Sequence, residues 1–222
     1  MKRFKTVFVI LISLILAENL MSQKKFSYLA LGDSYTIGES VPSEENWPHQ
    51  LKRMLNEDGI DVDVEIIATT GWRTDELIKA SGESKKESYD LVTLLIGVNN
   101  QYQGRPFEQY EKEAVKLIKI AIEKAGNDTS SVMIVSIPDY AYSPFGEKLK
   151  KPSISEELDR HNAYMQRRAS EFGIPFIDIT PISRSNGDDL ITDDGLHPSG
   201  HQYGMWVEKM MVTAAEILRA ED

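Results

Sequence analysis

Five short apolar runs, separated by stretches with helical periodicity, constrain the fold of this chain more than any other feature of its sequence. Each run is followed by glycine, proline or threonine, residues that often mark the end of a regular element. Short runs that are apolar on both faces are typical of buried parallel strands. The five runs are Phe26–Leu31, Val62–Ala68, Leu91–Ile96, Val132–Ile137 and Pro175–Ile179.

The segments between these runs have the apolar spacing of amphipathic helices. Alternating strands and helices predict an α/β fold, in which a doubly wound parallel sheet is covered by helices on both faces. The crossovers of such a sheet are right-handed, and ligands bind beyond the carboxyl ends of the strands, near the change in strand order. The predicted helices are Trp47–Asn56, Thr74–Ala80, Phe107–Ala125, Ser155–Phe172 and Gly200–Ala220.

Several helix ends carry the residues expected of caps. Ser199 is placed to cap the last helix at its N-terminus, and Gly126 and Gly173 stand where C-terminal caps belong. The longest stretch without periodicity, Pro138–Ser153, is rich in aromatic residues and proline. We therefore expect a surface loop there, lying over one edge of the sheet.

The N-terminus has the layout of a secretory signal peptide. A basic cluster precedes an apolar run, Val7–Ala17, that is too short to span a bilayer comfortably. We predict cleavage after Ser22, which makes residues 1–22 the signal peptide and residues 23–222 one exported domain without stable membrane insertion. An uncleaved N-terminal anchor is the alternative. The basic residues are Lys2, Arg3 and Lys5.

Composition excludes several classes of function. The chain has 35 acidic and 25 basic residues, and its net charge of −10 argues against nucleic acid as a partner. It contains no cysteine, which excludes disulfides, thiolate metal sites and a cysteine nucleophile. A neutral small-molecule, lipid or glycan substrate remains compatible with this surface.

Residues with catalytic potential follow the predicted strands. Ser34 lies after the first strand, Gly71 after the second and Asn99 after the third, while Asp194 and His197 precede the last helix. Because parallel strands end at one rim of a sheet, we expect these residues to lie close together. They would supply a nucleophile, its base and an acceptor for the oxyanion.

Each residue type suits a particular role. His197 can accept the proton of the Ser34 hydroxyl, and Asp194 can orient the imidazole from its other side. An oxyanion hole would be formed by the main-chain N–H groups of Ser34 and Gly71 together with the side-chain amide of Asn99.

Four ordered motifs resemble those of the SGNH (GDSL) hydrolase family. They are GDSYT at Gly32–Thr36, the single glycine Gly71, GVNN at Gly97–Asn100 and DDGLHPS at Asp193–Ser199. The resemblance implies a flavodoxin-like three-layer α/β/α sandwich with a five-stranded parallel sheet. It also implies serine esterase chemistry through an acyl-enzyme, without a cofactor or metal. Asn100 stands where the family usually has aspartate, which we expect to change a local hydrogen bond rather than the chemistry.

Structural roles compete with these assignments. Ser34 or Asp33 could cap the following helix, and Gly71 and Asn99 could serve only in turns. Asp193 is the alternative to Asp194 as the partner of His197. His197 and His201 are four residues apart and could share a helix face as metal ligands, although no further ligand supports that reading.

The substrate is less sharply indicated. The segment Ser34–Pro48 resembles the lysophospholipase and arylesterase-like branch of the family, which implies a lipid-like or small acyl ester. A carbohydrate O-deacetylase is the alternative enzyme, and a non-catalytic exported glycan-binding module is the alternative from another class. Aromatic residues that could hold an acyl chain or stack on a sugar are expected near the rim. They are Tyr102, Phe107, Tyr140, Tyr142 and Phe145.

Overall fold

The computed structural model describes residues 24–185, 187 and 189–220. The predicted signal peptide, residues 1–22, lies outside the described residues, so its cleavage stays a prediction. Within the described part of the chain, no helix combines the length and the apolar character needed to cross a bilayer.

The five predicted strands form one parallel sheet in the order β2-β1-β3-β4-β5. Three strands are shorter than the apolar runs that predicted them. Ile96, Ile137 and Ile179 remain buried although they lie beyond the strand ends, because the apolar run reports burial whether or not the residue joins the sheet. The strands are β1 Phe26–Gly32, β2 Val62–Ala68, β3 Leu91–Leu94, β4 Val132–Val135 and β5 Phe176–Ile177.

The five predicted helices are confirmed, with bounds that differ by at most two residues at either end. Other helices are only four to six residues long, too short for a periodic pattern to reveal them. The helices are α1 Ser34–Ile37, α2 Trp47–Glu57, α3 Thr74–Ala80, α4 Val98–Tyr102, α5 Phe107–Lys124, α6 Pro144–Leu149, α7 Ser153–Phe172, α8 Thr180–Ser183 and α9 Gly200–Ala220.

The segment Pro138–Ser153 is not the loop without regular structure that the sequence led us to expect. It contains a 3₁₀ turn at Tyr140–Tyr142 and the helix α6. The Ser143 hydroxyl accepts a hydrogen bond from the N–H of Gly146 at 3.1 Å and so caps α6. Pro144 then occupies the first helical turn, where its missing N–H has no consequence.

The predicted caps are found at the ends of three long helices. Ser199 Oγ accepts from the N–H of Gln202 at the start of α9. Gly173 ends α7 in the left-handed conformation, and Gly126 adopts the same conformation after α5.

Alternate residues of β1 point to opposite faces of the sheet and bury two separate cores. Tyr28 and Ala30 pack on one face with side chains of α2 and α9. Leu29 and Leu31 pack on the other face with side chains of α3 and α5. Helix α7 contributes its N-terminal half to the first core and its C-terminal half to the second. The result is the predicted three-layer α/β/α sandwich.

One edge of the sheet is formed by β2, and its outward side chains are charged. The Asp63 carboxylate lies 2.7 Å from Lys25 Nζ and 3.2 Å from Lys52 Nζ. Glu65, two residues on, accepts a hydrogen bond from the Tyr89 hydroxyl at 2.8 Å.

The strand order changes direction between β1 and β3, with β2 on one side and β4 on the other. This is the place where a doubly wound sheet leaves a crevice beyond its carboxyl edge.

Candidate active site

Ser34 is the first residue of α1 and follows β1 almost directly. Asp33 caps this helix, because its Oδ1 accepts a hydrogen bond from the Tyr35 N–H at 3.1 Å. A side chain at Gly32 would lie 2.7 Å from the main-chain oxygen of Leu95, so only glycine allows this close approach. The strand therefore turns sharply into the helix, and Asp33 rather than Ser34 provides the cap.

Asp33 is a fully buried carboxyl beside Ser34. Its Oδ2 has no hydrogen-bond partner among the described residues. Burial raises the pKa of Asp33 to about 7, against the smaller effect of the hydrogen bond from Tyr35. This carboxyl is therefore largely protonated at mildly acidic pH.

His197 and Asp194 are brought together by one tight turn. His197 Nδ1 lies 2.6 Å from Asp194 Oδ2, while Oδ1 accepts from the N–H groups of Leu196 at 2.7 Å and His197 at 2.9 Å. Among the described hydrogen bonds, His197 has none with Asp193, the alternative partner. The geometry therefore favours Asp194 as the group that orients the imidazole.

The charge of Asp194 is well stabilised. Partial burial raises its pKa, but the hydrogen bonds from Ser40 and His197 outweigh burial and hold the pKa of this carboxyl well below its usual range. Asp194 is thus an anion throughout the physiological range.

Sequence reasoning missed the contact with Ser40. The Ser40 hydroxyl donates to Asp194 Oδ2 at 2.6 Å across a large sequence separation. A serine in a polar loop carries no sequence signal that would single it out. Only the fold brings the two residues together.

The two other predicted oxyanion donors, Gly71 and Asn99, lie in the turn after β2 and in the short helix α4 after β3. Gly71 has a φ of +83°, in the left-handed region, and a Cβ there would meet no atom within 4 Å. Asn99 Nδ2 donates to the main-chain oxygen of Trp72 at 3.0 Å. A side-chain amide has two hydrogens, so one remains for a ligand. Within the described residues, the N–H groups of Ser34 and Gly71 have no hydrogen-bond partner.

A cavity of about 330 Å³ connects these groups. It is lined by Ser34, Gly71, Asn99 and His197 and by a larger number of apolar and aromatic side chains. The described hydrogen bonds do not include one between Ser34 Oγ and His197, although both side chains face this space. The remaining lining residues are Tyr35, Thr70, Val98, Tyr102, Tyr140, Phe145 and Leu196.

One wall of the cavity is held by a chain of hydrogen bonds. The Tyr140 hydroxyl donates to Gln101 Oε1 at 2.8 Å, and Gln101 Nε2 donates to Glu157 Oε2 at 2.6 Å. Tyr102 then packs edge-on against Tyr140 and lies 6.1 Å from the ring of Phe145. The three aromatic rings therefore form a preorganised apolar surface beside Ser34.

Two of the aromatic residues expected at this rim lie elsewhere, which corrects the sequence analysis. The Phe107 ring packs at 4.9 Å against His161, inside the contact between α5 and α7, under the guanidinium of Arg160. Tyr142 is half exposed and borders a different cleft, beside Pro144. Their positions after the third and fourth strands predicted a place near the rim, but the direction of each side chain depends on the local backbone.

The possible metal pair does not converge. His201 Nδ1 bonds to Asp189 Oδ2 at 2.6 Å, whereas His197 bonds to Asp194. Over residues 24–185, 187 and 189–220, no group of three or more potential ligating side chains surrounds a common point.

Asn100, at the position where the resemblance led us to expect aspartate, is fully buried and structural. Its Oδ1 accepts from the Thr74 N–H at 3.1 Å, and its Nδ2 donates to Thr74 Oγ1 at 2.7 Å. The Thr74 hydroxyl donates a hydrogen bond to Glu113 Oε2 at 2.5 Å. Asn100 therefore joins α4 to the start of α3.

This chain resembles known proteins both in sequence and in structure. The model of the GDSL-like lipase/acylhydrolase family matches residues 30–204. An arylesterase of Vibrio mimicus is 28% identical over 180 residues, which are 80% of this chain and 82% of the relative.

Solved structures share the fold at low identity. A family 3 carbohydrate esterase of Clostridium thermocellum superposes with a TM-score of 0.72 at 18% identity, over 89% of this chain and 99% of that one. A lipase/acylhydrolase from Enterococcus faecalis gives a TM-score of 0.70 at 19% identity, over 86% of this chain and 96% of that one.

Proposed function

Since this chain belongs to the GDSL-like lipase/acylhydrolase family and is a hydrolase, we propose that it cleaves carboxylic esters through an acyl-enzyme on Ser34. The resemblance found in the sequence motifs is thus confirmed at the level of the family. The roles of individual residues are part of the proposal.

His197 accepts the proton of the Ser34 hydroxyl as Oγ attacks the ester carbonyl carbon. The oxyanion that forms is bound by the N–H groups of Ser34 and Gly71 and by the free hydrogen of the Asn99 amide. His197 then gives the proton to the leaving alcohol, and the acyl group stays on Ser34. A water molecule, losing a proton to His197, then attacks the acyl carbon, and the bond from that carbon to Oγ breaks. The acid leaves, and His197 returns the proton to Ser34 Oγ. Asp194 stabilises the imidazolium in both halves of the reaction.

The observation that carries the proposal is the shared cavity. Ser34, Gly71, Asn99 and His197 belong to four separate segments of the chain, yet all four line one space of about 330 Å³. Asp194 supports the imidazole from outside this space, 2.6 Å from Nδ1. Strand ends alone would bring these four segments to one rim, but they would not direct the residues into one cavity.

The aromatic wall supports a substrate with an apolar acyl or aryl group, of the lysophospholipase or arylesterase type. Tyr102, Tyr140 and Phe145 offer flat apolar surface next to Ser34, and a few polar groups fix the ester. The Vibrio mimicus relative is named an arylesterase, which agrees with this class. The net charge of −10 disfavours polyanionic partners such as nucleic acid.

A carbohydrate O-deacetylase is the second candidate. The ring of Tyr102 lines the cavity and is 53% exposed, so it could stack on a sugar while an acetyl group reaches Ser34. The carbohydrate esterase of Clostridium thermocellum shares the fold, but at 18% identity it supports the fold alone. The third candidate is not an enzyme but a non-catalytic exported glycan-binding module.

We place the protein outside the cytoplasm, in the periplasm or secreted. This rests on the predicted signal peptide at residues 1–22, and the family match begins only at residue 30. The remaining residues, 23–222, would form the single hydrolase domain.

The function is tested by hydrolysis of p-nitrophenyl esters from acetate to palmitate and of an acetylated xylan. Ser34→Ala and His197→Ala should each lower kcat by roughly 1,000-fold or more. Ser170→Ala, an exposed serine of α7, is the matched control and should retain full activity. Circular dichroism verifies that all variants are folded.

The outcomes separate the candidates. Preference for medium chains or aryl esters supports the first, and preference for the acetylated polysaccharide supports the deacetylase. A Ser34→Ala protein as active as wild type overturns the mechanism. Glycan binding without turnover on any ester would establish the binding module instead.

A further inference from the structure

Ser40 lies in the loop after α1 and contacts a residue of the proposed catalytic machinery. Its hydroxyl donates to Asp194 Oδ2 at 2.6 Å, and the same oxygen lies 2.6 Å from His197 Nδ1. One carboxylate oxygen is therefore shared between an imidazole and a serine hydroxyl. The loop that follows the proposed nucleophile thus reaches the group that orients the base.

We propose that Ser40 is a positioning residue for ester hydrolysis, fixing Asp194 so that its Oδ2 faces His197. This inference rests on the proposed function of Ser34 and His197. Ser40 does not contact the reacting atoms. Its effect on the reaction passes through Asp194 and the imidazole.

The other oxygen of Asp194 already has its partners. Oδ1 accepts from the N–H groups of Leu196 and His197 and from the Thr192 hydroxyl at 2.9 Å. Those bonds hold the carboxylate to its own turn through Oδ1, and the Ser40 hydroxyl adds a donor from outside that turn at Oδ2. Among the described residues, Ser40 is the side chain that shares Oδ2 with His197.

Water can compete with the Ser40 hydroxyl for hydrogen bonding to Asp194 Oδ2. The Asp194 side chain is 31% exposed, compared with 10% for His197. Without the Ser40 hydroxyl, Oδ2 would lose its donor from outside the turn, and water would bond there from varying directions. A fixed donor removes this freedom before substrate arrives.

The backbone around Ser40 is consistent with a positional requirement. Ser40 has a φ of +68°, a left-handed conformation that disfavours residues with a Cβ. Glycine would meet the conformational demand more easily, but it would lack the hydroxyl. A serine at this position is explained if the hydroxyl is needed.

The preceding residue ties the same loop to the opposite side of the site. Glu39 accepts a hydrogen bond from the Thr70 hydroxyl, and Thr70 precedes Gly71. Consecutive residues of one loop are thereby joined to the segment of a proposed oxyanion donor and to Asp194. Two adjacent residues of the loop are thus anchored to different segments, so Ser40 presents its hydroxyl from a fixed frame.

The test compares Ser40→Gly with Ser40→Ala, and uses Ser43→Ala as the control. Both Ser40 variants lack the hydroxyl, but glycine accepts the left-handed backbone and alanine does not. We expect kcat on a p-nitrophenyl ester to fall about 10- to 100-fold in both variants, with KM within about twofold of wild type. Ser40→Gly should melt at or above the temperature of Ser40→Ala. Ser43 is exposed in the next turn, and Ser43→Ala should match wild type.

A double-mutant cycle with Asp194→Asn shows whether the effect passes through the carboxylate. Adding Ser40→Gly to Asp194→Asn should lower kcat by less than about twofold, because the group positioned by Ser40 has lost its charge. Wild-type kcat in Ser40→Gly, or the same loss with and without Asp194→Asn, would overturn the inference. An active Ser34→Ala protein would instead overturn the proposed function, so the two failures are distinguishable.

Discussion

The side-chain amide of Asn99 donates to the main-chain oxygen of Trp72 at 3.0 Å, which joins helix α4 after β3 to the turn after β2. Trp72 follows Gly71 directly in the sequence. The bond therefore sets the relative position of two groups that we propose as oxyanion donors. It uses one amide hydrogen and leaves the other for the cavity.

Replacing Asn99 with alanine should remove one of these donors. We expect kcat to fall about 100- to 1,000-fold while KM changes little, because the oxyanion exists in the transition state and not in the bound ester. Steady-state kinetics on a p-nitrophenyl ester, with a thermal melt of the same sample, make the measurement. An unchanged kcat would exclude Asn99 from the oxyanion hole.

Asn100→Asp should affect stability rather than catalysis. A carboxylate cannot donate to Thr74 Oγ1, so that hydroxyl would have to serve either residue 100 or Glu113. We expect a loss of about 1–3 kcal/mol in the free energy of unfolding at pH 7, with kcat nearly unchanged. Urea unfolding is compared with Asn127→Asp, which adds the same charge at an exposed position. A large drop in kcat without loss of stability would contradict the structural role.

Tyr102 and Tyr142 offer a matched pair for testing the acyl pocket. Both rings are about half exposed, at 53% and 48%, but only Tyr102 lines the cavity beside Ser34. Tyr102→Ala should raise KM several-fold for aryl or medium-chain esters and leave acetate esters less affected, because it removes apolar contact area. Tyr142→Ala should behave like wild type. Equal effects of the two substitutions would place the acyl group elsewhere.

Glu157 should make stability depend on acidic pH. Burial raises its pKa, but hydrogen bonds from Gln101, Ser153 and Lys151 outweigh burial and bring the pKa to about 2, below the ordinary 4.5. Its stabilising effect is therefore complete above about pH 4.5 and is lost as the pH falls through about 2.

Thermal melts of Glu157→Gln between pH 7 and pH 2 test this dependence. The variant should melt below wild type at pH 7, and the difference should shrink as the pH approaches 2. Glu156→Gln, at the exposed neighbouring position, is the control and should follow wild type throughout. A constant difference at every pH would mean that the ionised form of Glu157 is not the stabilising species.

Much of the fold could be predicted because local patterns encode it. The apolar runs placed all five strands, and the helical patterns placed the five long helices within two residues. The strand order could not be predicted in the same way, because it depends on which face each crossover covers. Helix α6 was not predicted because its six residues are too few to show a periodic pattern. Its start is determined by the cap Ser143 and by Pro144 in the first turn.

Sequence placed Ser34, Gly71, Asn99, Asp194 and His197 near one rim, and the structure brings them to one cavity or its immediate border. Their motifs stand at strand ends, where topology guarantees proximity. Side-chain direction has no such guarantee, and of the five predicted aromatic residues, Tyr102, Tyr140 and Phe145 face the cavity. The contact of Ser40 with Asp194 could not be predicted, because the two residues are 154 positions apart in the sequence.

The charged edge strand β2 bears on whether copies of this protein can pair through their sheets. A seven-residue edge strand such as β2 offers free main-chain groups to any extended segment that approaches. Here β2 carries the charged residue Asp63 with its partners Lys25 and Lys52, and charged side chains on an edge strand disfavour such pairing. At the opposite edge, β5 has only two residues in the ladder and gives little template for pairing. Charge on one edge strand and a short ladder at the other edge are both features that oppose growth of a sheet by intermolecular strand addition, the first step of β-aggregation.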